Sequence, residues 1–472
     1  MTSSRQLRVR GRAIAGLRLC AALAALVAAA TLPAGVACRE ARLAPAGAET
    51  APERIVLGWA GDPATSQAVT WRTTAAVASP QAQIGLAAPD CGGAIGPVRN
   101  IAAVARAIDV GRNQRATHYK AGFTGLAPAT RYAYRVGSAS GSSRWHCFST
   151  ASAEAAPFRF IYLGDAQRGL GKRWPEVVRA AFAAAPDARF VVHAGDLLDE
   201  GYDDGQWRAW LAGLGGGAAE TPGVPVPGNH DVMRSRLSRV FVAPDLWNAH
   251  FALPANGPAD LPELAGQSYY LDYQGVRIVA LDVNAFANED FRESQRSRVQ
   301  AAQLTWLREV LGANPQHWTI VVQHYPVYSV AKHRDFGRMR AALGALYDEF
   351  GVDLVLQGHD HAYGRTHKVY GGRIADSRAP GTVYAVSVSG TKSYAVDSRW
   401  ASLLARVHEG AQLYQVVSVA GDGLAYESRE TDGTSVDAFE LIKPAGAASR
   451  YVNRAPGAAG DEAGPIAAGS GR

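Results

Sequence analysis

Five polar blocks, each set behind a short apolar run, constrain this chain more than any other feature. In order they are Gly164-Asp165, Gly195-Asp196, Gly228-Asn229-His230-Asp231, His324 and Gly358-His359-Asp360-His361. Runs at 158–163, 190–192, 276–281, 319–322 and 352–356 have the length and composition of strands, and helical patterning fits 175–185, 301–311 and 338–350. Alternation of this kind predicts an α/β layered domain. Open sheets of that class bind ligands beyond the carboxyl ends of their strands, so the blocks should converge on one edge. A Gly-Asp pair alone says little: the chain has five, and those at Asp62, Asp422 and Asp461 read as turns. Asp165 and Asp196 differ because each ends a strand.

Taken singly, Asp165, Asp196 and Asn229 would pass as turn residues, and His324, His359 and His361 as hydrogen-bonded histidines. Three carboxylate or amide oxygens and three imidazoles on one sheet edge form a different object, a set of hard and borderline ligands for two divalent or trivalent ions. One shared carboxylate can hold such ions about 3.5–4 Å apart, close enough to engage one phosphate together.

The rest of the chain supplies context. From 55 to 150, short runs such as Ile55-Val56-Leu57-Gly58-Trp59, Ala68-Val69-Thr70-Trp71 and Tyr132-Ala133-Tyr134-Arg135-Val136 alternate apolar with polar residues and are broken by turns. That pattern predicts a β-sandwich over 52–150. A linker at 151–157 leads into the α/β domain, expected over 157–430. Residues 444–472 fall to Ala, Gly, Ser and Pro and read as a disordered tail. With 47% apolar residues over 472 positions, wholesale disorder is excluded. The net charge of +6 hints at nucleic acid until its source is found. Arg5, Arg8, Arg10, Arg12 and Arg18 carry all but one unit of it, and the case for a polyanion partner falls away.

Those arginines precede an apolar stretch at 19–32, too short to span a membrane and of the length of a secretory signal core. Residues 1–37 are therefore read as a signal peptide, which places the mature protein in the periplasm, outside the cell or on a membrane anchor of a bacterium. Cys38 fits two outcomes: lipidation as the first residue of a lipoprotein, or plain cleavage nearby with Gly35 standing where a larger aliphatic residue is usual. In an oxidising compartment Cys91 and Cys147 are either a disulfide or two buried thiols.

The ordered G-D, G-D-x-x, G-N-H, H and G-H-x-H blocks resemble those of the calcineurin-like metallophosphoesterases. More narrowly, the chain resembles purple acid phosphatases over about residues 52–430. Residues 125–137, Gly-Leu-Ala-Pro-Ala-Thr-Arg-Tyr-Ala-Tyr-Arg-Val-Gly, are similar to the fibronectin-like domain of that group, and 358–366, Gly-His-Asp-His-Ala-Tyr-Gly-Arg-Thr, to its last metal motif. The resemblance implies an all-β fibronectin type III-like sandwich followed by an α/β layered domain with a central mixed β-sandwich flanked by helices. It implies Asp165, Asp196 and His361 on a first metal, and Asp196, Asn229, His324 and His359 on a second, with iron, zinc and manganese all open. His230 becomes an outer-sphere catalytic histidine. His333 falls where the group carries further substrate-contacting histidines, and reads equally as an exposed loop residue.

Two departures matter. Asp199 stands where purple acid phosphatases carry an iron-binding tyrosine, so a purple ferric site is not expected. Asp199 fits an aspartate that orients His230, or a helix cap. Gln167 stands where other metallophosphoesterases carry a first-metal histidine, and three roles are open to it: weak ligand, partner of a bound water, or neither. The resemblance implies hydrolysis of a phosphomonoester by a metal-activated water. A phosphodiesterase using the same ions is the alternative within enzymes, and a non-catalytic adhesion protein with a vestigial metal domain is the alternative outside them. The matched ligand positions are all intact, which weighs against the last.

Overall fold

A computed structural model of the chain describes residues 48–111, 114–234, 241–288, 291–410 and 412–458. The signal segment 1–37, Cys38 and residues beyond 458 lie outside them. Among the described residues no helix is long and apolar enough to cross a membrane.

Residues 53–149 form two antiparallel sheets. Glu53–Gly58, Gln67–Thr73, Arg115–Phe123 and Val104–Asp109 pair in that order in one. Ala94–Ala102, Gln81–Ala87 and Arg131–Ser138 lead the other. The alternating apolar residues turn inward: Leu57, Val69, Trp71, Ile84, Tyr119, Phe123, Tyr134 and Phe148 make one core between the sheets. Cys91 and Cys147 are joined as a disulfide, their Cα atoms 6.0 Å apart.

Beyond the linker, two mixed seven-stranded sheets face each other. The first runs Gly223–Pro225, Val191–His193, Phe158–Leu163, Leu413–Ala420, Gly423–Glu430, Ser435–Ile442 and Arg450–Asn453. The second runs Tyr269–Tyr273, Val276–Leu281, Trp318–Gln323, Leu354–Gln357, Val383–Val386, Tyr363–Thr366 and Leu404–His408. Strand alternation explains the layering. Phe160 and Tyr162 point between the sheets with Val322, Leu356, Val417 and Phe439. Ile161 and Leu163 point outward beneath the helices Arg173–Ala184 and Asp204–Leu214. The second sheet is covered by Glu293–Gly312 and the helical segment 337–350. Asp203 starts its helix by accepting from the N–H groups of Gly205, at 2.7 Å, and Gln206, at 3.1 Å. After Asp282 the chain is helical at Asn284–Ala287 and again from Glu293.

The expected domain end at 430 and the expected tail from 444 are corrected. Ser435–Ile442 and Arg450–Asn453 complete the first sheet. Asp437, fully buried, receives Arg365 Nε and Nη2 at 2.6 and 2.7 Å and the Tyr363 hydroxyl at 2.6 Å, while Arg365 also donates to Tyr451 and, at 3.0 Å, to Asn453. A charged pair drawn from both sides of the supposed boundary makes residues up to 453 part of this domain.

The sandwich is fastened to the α/β domain by polar groups. Arg54 reaches both oxygens of Asp204 at 2.6 and 2.9 Å, and Arg72 one of them at 2.9 Å. Thr70 donates to the His250 carbonyl and Tyr134 to that of Ala219, both at 2.6 Å.

Candidate metal centre

The parallel strands of both sheets end on the same side, and each delivers its polar block there. The first sheet contributes Asp165, Asp196 and the Asn229-His230 turn; the second contributes His324, His359 and His361. The backbone bends sharply to present them. Asp165, Asp196, His359 and His361 have φ of 46°, 49°, 75° and 49°, a left-handed conformation uncommon for residues with a Cβ and concentrated at functional sites. Close approach fixes the glycine of the last block: a Cβ on Gly358 would fall on the Asp165 carboxylate and 2.7 Å from the Ala194 carbonyl.

Two overlapping triads result. Asp165, Asp196 and His361 offer ligand atoms within 4.8 Å of one another, as do Asp196, His324 and His359, and Asp196 belongs to both. The Asn229 amide oxygen is buried without a hydrogen-bond partner, as is Asp165 Oδ1.

Chemistry at these atoms tests whether cations fit. His324 Nδ1 lies 2.8 Å from the Ala194 carbonyl and donates to it, so in the neutral ring Nε2 carries a lone pair. That nitrogen stands 3.2 Å from Asp196 Oδ2 and 3.2 Å from His359 Nδ1. Acceptors facing one another in a buried pocket repel unless a proton or a cation sits among them. In the protein's own charges the proton serves: burial disfavours protonated His324, yet Asp196 and Asp165 outweigh it and raise the ring to about 9. Asp165 is pushed well above the usual carboxylate range by burial, against the pull of His324. Asp196 is held at about 2, its burial outweighed by His324 and His230. Burial lowers His359 well below its ordinary value and, with Lys392, lowers His361 to about 3. Both rings are thus neutral and ready to ligate. The residues fit a pair of cations.

The surrounding groups hold the ligands still. Asp196 Oδ1 accepts the His230 N–H at 2.9 Å, and its Oδ2 accepts the Gln167 amide at 2.8 Å. The same Gln167 nitrogen is 3.2 Å from His361 Nε2. The Gln167 amide nitrogen thus steadies Asp196 and His361, while its Oε1 is buried without a hydrogen-bond partner, like the Asn229 oxygen. His230 Nδ1 lies 2.8 Å from the backbone carbonyl of Asp199. The Asp199 carboxylate is turned instead to Arg168 Nε, 2.8 Å away. This corrects the expected side-chain role of Asp199: a main-chain oxygen orients His230. The same placement leaves the helix cap to Asp203. His333 is exposed, at φ 63°, on the loop after His324.

Several residues at the site had no assigned role. Asp231, raised to about 7 by burial and by Asp196, accepts the N–H groups of Leu197 at 3.1 Å and Gly228 at 2.9 Å, tying the Asp196 and Asn229 turns together. Asp360 accepts the N–H groups of Val330 at 2.6 Å and Ala331 at 3.2 Å. Both lie inside the blocks, so their position was visible and their task was not. Arg334, Lys392 and Tyr394 belong to no block. Arg334 donates to the His359 carbonyl, and its guanidinium and the Lys392 ammonium lie 4.8 and 5.2 Å from the centre of the Tyr394 ring. That ring is 5.0 Å from the His361 ring.

Residues 158–363 match the calcineurin-like phosphoesterase family, and residues 52–150 match the purple acid phosphatase N-terminal domain. An uncharacterized protein of Mycobacterium tuberculosis is 26% identical over 67% of this chain and 62% of its own length. Purple acid phosphatase 23 of Arabidopsis thaliana is 26% identical over 52% of this chain and 57% of its own. The chain thus spans about three fifths of the length of these curated relatives. In fold it is similar to the purple acid phosphatase PPD1 from yellow lupin seeds, with a TM-score of 0.65 and 18% identity, covering 84% of this chain and 75% of that one. Two sheets meeting at a double triad, matched domain by domain along the sequence, show that this chain carries a calcineurin-like phosphoesterase domain behind a purple acid phosphatase N-terminal domain.

Proposed function

We propose that the chain is an exported binuclear-metal phosphatase acting on phosphomonoesters. The observation that carries the reading is the pair of ligand triads sharing the buried Asp196. When bound, the two ions supply Lewis acidity at the phosphoryl oxygens and a water acidified enough to serve as nucleophile. This chain's residues do the rest. Asp196, with an oxygen fixed by His230 and the other by Gln167, keeps the two sites in register. With Nδ1 tied to the Asp199 carbonyl, His230 has Nε2 left to hold or pass a proton to the departing alkoxide. Lys392, over the Tyr394 ring that packs on His361, adds positive charge beside the centre, which favours anionic esters. No covalent phosphoenzyme is needed. Export is supported by the pattern of residues 1–37 and by the Cys91 to Cys147 bond, with a mature start near Cys38.

Metal analysis of protein purified without added metal, beside hydrolysis of p-nitrophenyl phosphate and bis(p-nitrophenyl) phosphate, tests the reading. Two ions per chain and preferred turnover of the monoester are expected, and Asp196→Asn should remove most turnover while leaving a folded protein. Preferred turnover of the diester would move the assignment to a phosphodiesterase. Two retained ions with neither ester hydrolysed would favour a binding protein. Normal turnover in Asp196→Asn would end the two-metal assignment.

A further inference from the structure

The ligands and their supports leave one cation beside the centre unexplained. Lys392 is half-buried, and among the described residues no carboxylate lies within ion-pairing distance of it. Its neighbours differ: Arg334 is matched by Asp360 at 3.5 Å, and Arg168 by Asp199 at 2.8 Å. Lys392 has instead the face of Tyr394, a ring that packs against His361. That contact offers the ammonium a ring face and no negative charge.

The loop that bears it is rigidly placed. Gly390 N–H donates to the Asp165 carbonyl at 2.7 Å, and Tyr394 N–H to the His361 carbonyl at 3.2 Å, so both ends are pinned to first-metal ligands. A Cβ on Gly169 would come 2.8 Å from Thr391, which shows how closely the loop covers the turn after Gln167. Lys392 therefore stands at a fixed place on the first-metal side.

Asp165 and Asp196 leave a pair of divalent ions with two surplus positive charges. A hydroxide nucleophile and a diester monoanion neutralise them. A monoester dianion brings one negative charge more, and Lys392 is the unmatched positive charge at hand.

We propose that Lys392 is a specificity-determining residue, whose ammonium pairs with the additional anionic oxygen that distinguishes a phosphomonoester from a diester. This rests on the phosphoester hydrolase reading above and adds the residue that discriminates. Loss of one charge-assisted hydrogen bond is worth about ten- to a hundredfold in kcat/KM. In the metal-loaded full chain, Lys392→Met should lower the ratio of kcat/KM for p-nitrophenyl phosphate over bis(p-nitrophenyl) phosphate by at least about tenfold. Lys392→Arg should restore most of it. Calorimetric binding of inorganic phosphate should weaken in the same order, with metal content unchanged. An unchanged ratio, or equal losses on both esters, would overturn the proposal. If the wild type hydrolyses neither ester, the functional reading fails, and phosphate binding unaffected by Lys392→Met would then overturn the residue's role as well.

Discussion

Replacing Asp437 by Asn tests the claim that the C-terminal strands belong to the core. Asp437 and Arg365 are both fully buried, and the carboxylate takes two guanidinium bonds and one from Tyr363. Removing one partner of a buried pair strands the other, at a cost of about 3–5 kcal/mol. Asn keeps the shape and one acceptor oxygen, so the loss is that of charge and of a bond rather than of volume. With a urea dependence of about 3 kcal/mol/M, the unfolding midpoint should fall by about 1–1.7 M. Tryptophan fluorescence at a fixed saturating metal concentration follows it, the metal being held constant because ligand binding itself shifts stability. Arg365→Met combined with Asp437→Leu should recover much of the loss, since neither charge is then left alone. A shift below about 0.3 M for Asp437→Asn would refute the argument and return the domain end to residue 430.

Burial, reinforced by Arg72 and Arg54, lowers His118 to about 4, and its ring lies 5.0 Å from that of His250, itself lowered by burial. Below pH 6.5 the unfolded chain binds the extra protons, so stability is full above that pH and falls toward pH 4, His118 alone accounting for about 3 kcal/mol. Urea unfolding at the two pH values measures this, and His118→Gln should flatten the difference. Because the Asp199 main chain holds His230, Asp199→Asn should change turnover by less than about threefold, whereas His230→Ala should lower it by about 10²–10⁴; comparable losses in both would restore a side-chain role. With no phenol at position 199, iron-loaded protein should show no phenolate charge-transfer band in its visible spectrum.

What could be read from the sequence was what burial writes into it. The strands 158–163 and 276–281 are apolar because both faces are covered, and the blocks behind them stood out against that background. The last two strands escaped for the opposite reason. Arg450–Asn453 has four residues at the sheet edge behind a Pro-Ala-Gly-Ala-Ala-Ser run, and neither length nor period announces it. The hold on His230 was hidden because a backbone carbonyl leaves no residue signature. Asp199 therefore drew attention as a carboxylate, while its main-chain oxygen made the bond. Lys392 was invisible for a third reason: its loop is held to the centre by main-chain bonds to Asp165 and His361, partners more than 200 and 30 residues away in sequence.

The fastening of the sandwich has a consequence for modularity. Asp204, clasped by Arg54 and Arg72, opens the helix that carries Gln206, and Gln206 in turn accepts the N–H groups of Asp199 and Glu200 at 2.8 and 3.1 Å. The stretch that positions His230 is thus braced from the neighbouring domain. Severing the chain at the linker would leave a near-buried carboxylate without its two guanidiniums and bare the ring of Trp59, which lodges against Phe190 and Tyr273. What looks in sequence like a detachable module is a buttress, and the α/β half is an incomplete body without it.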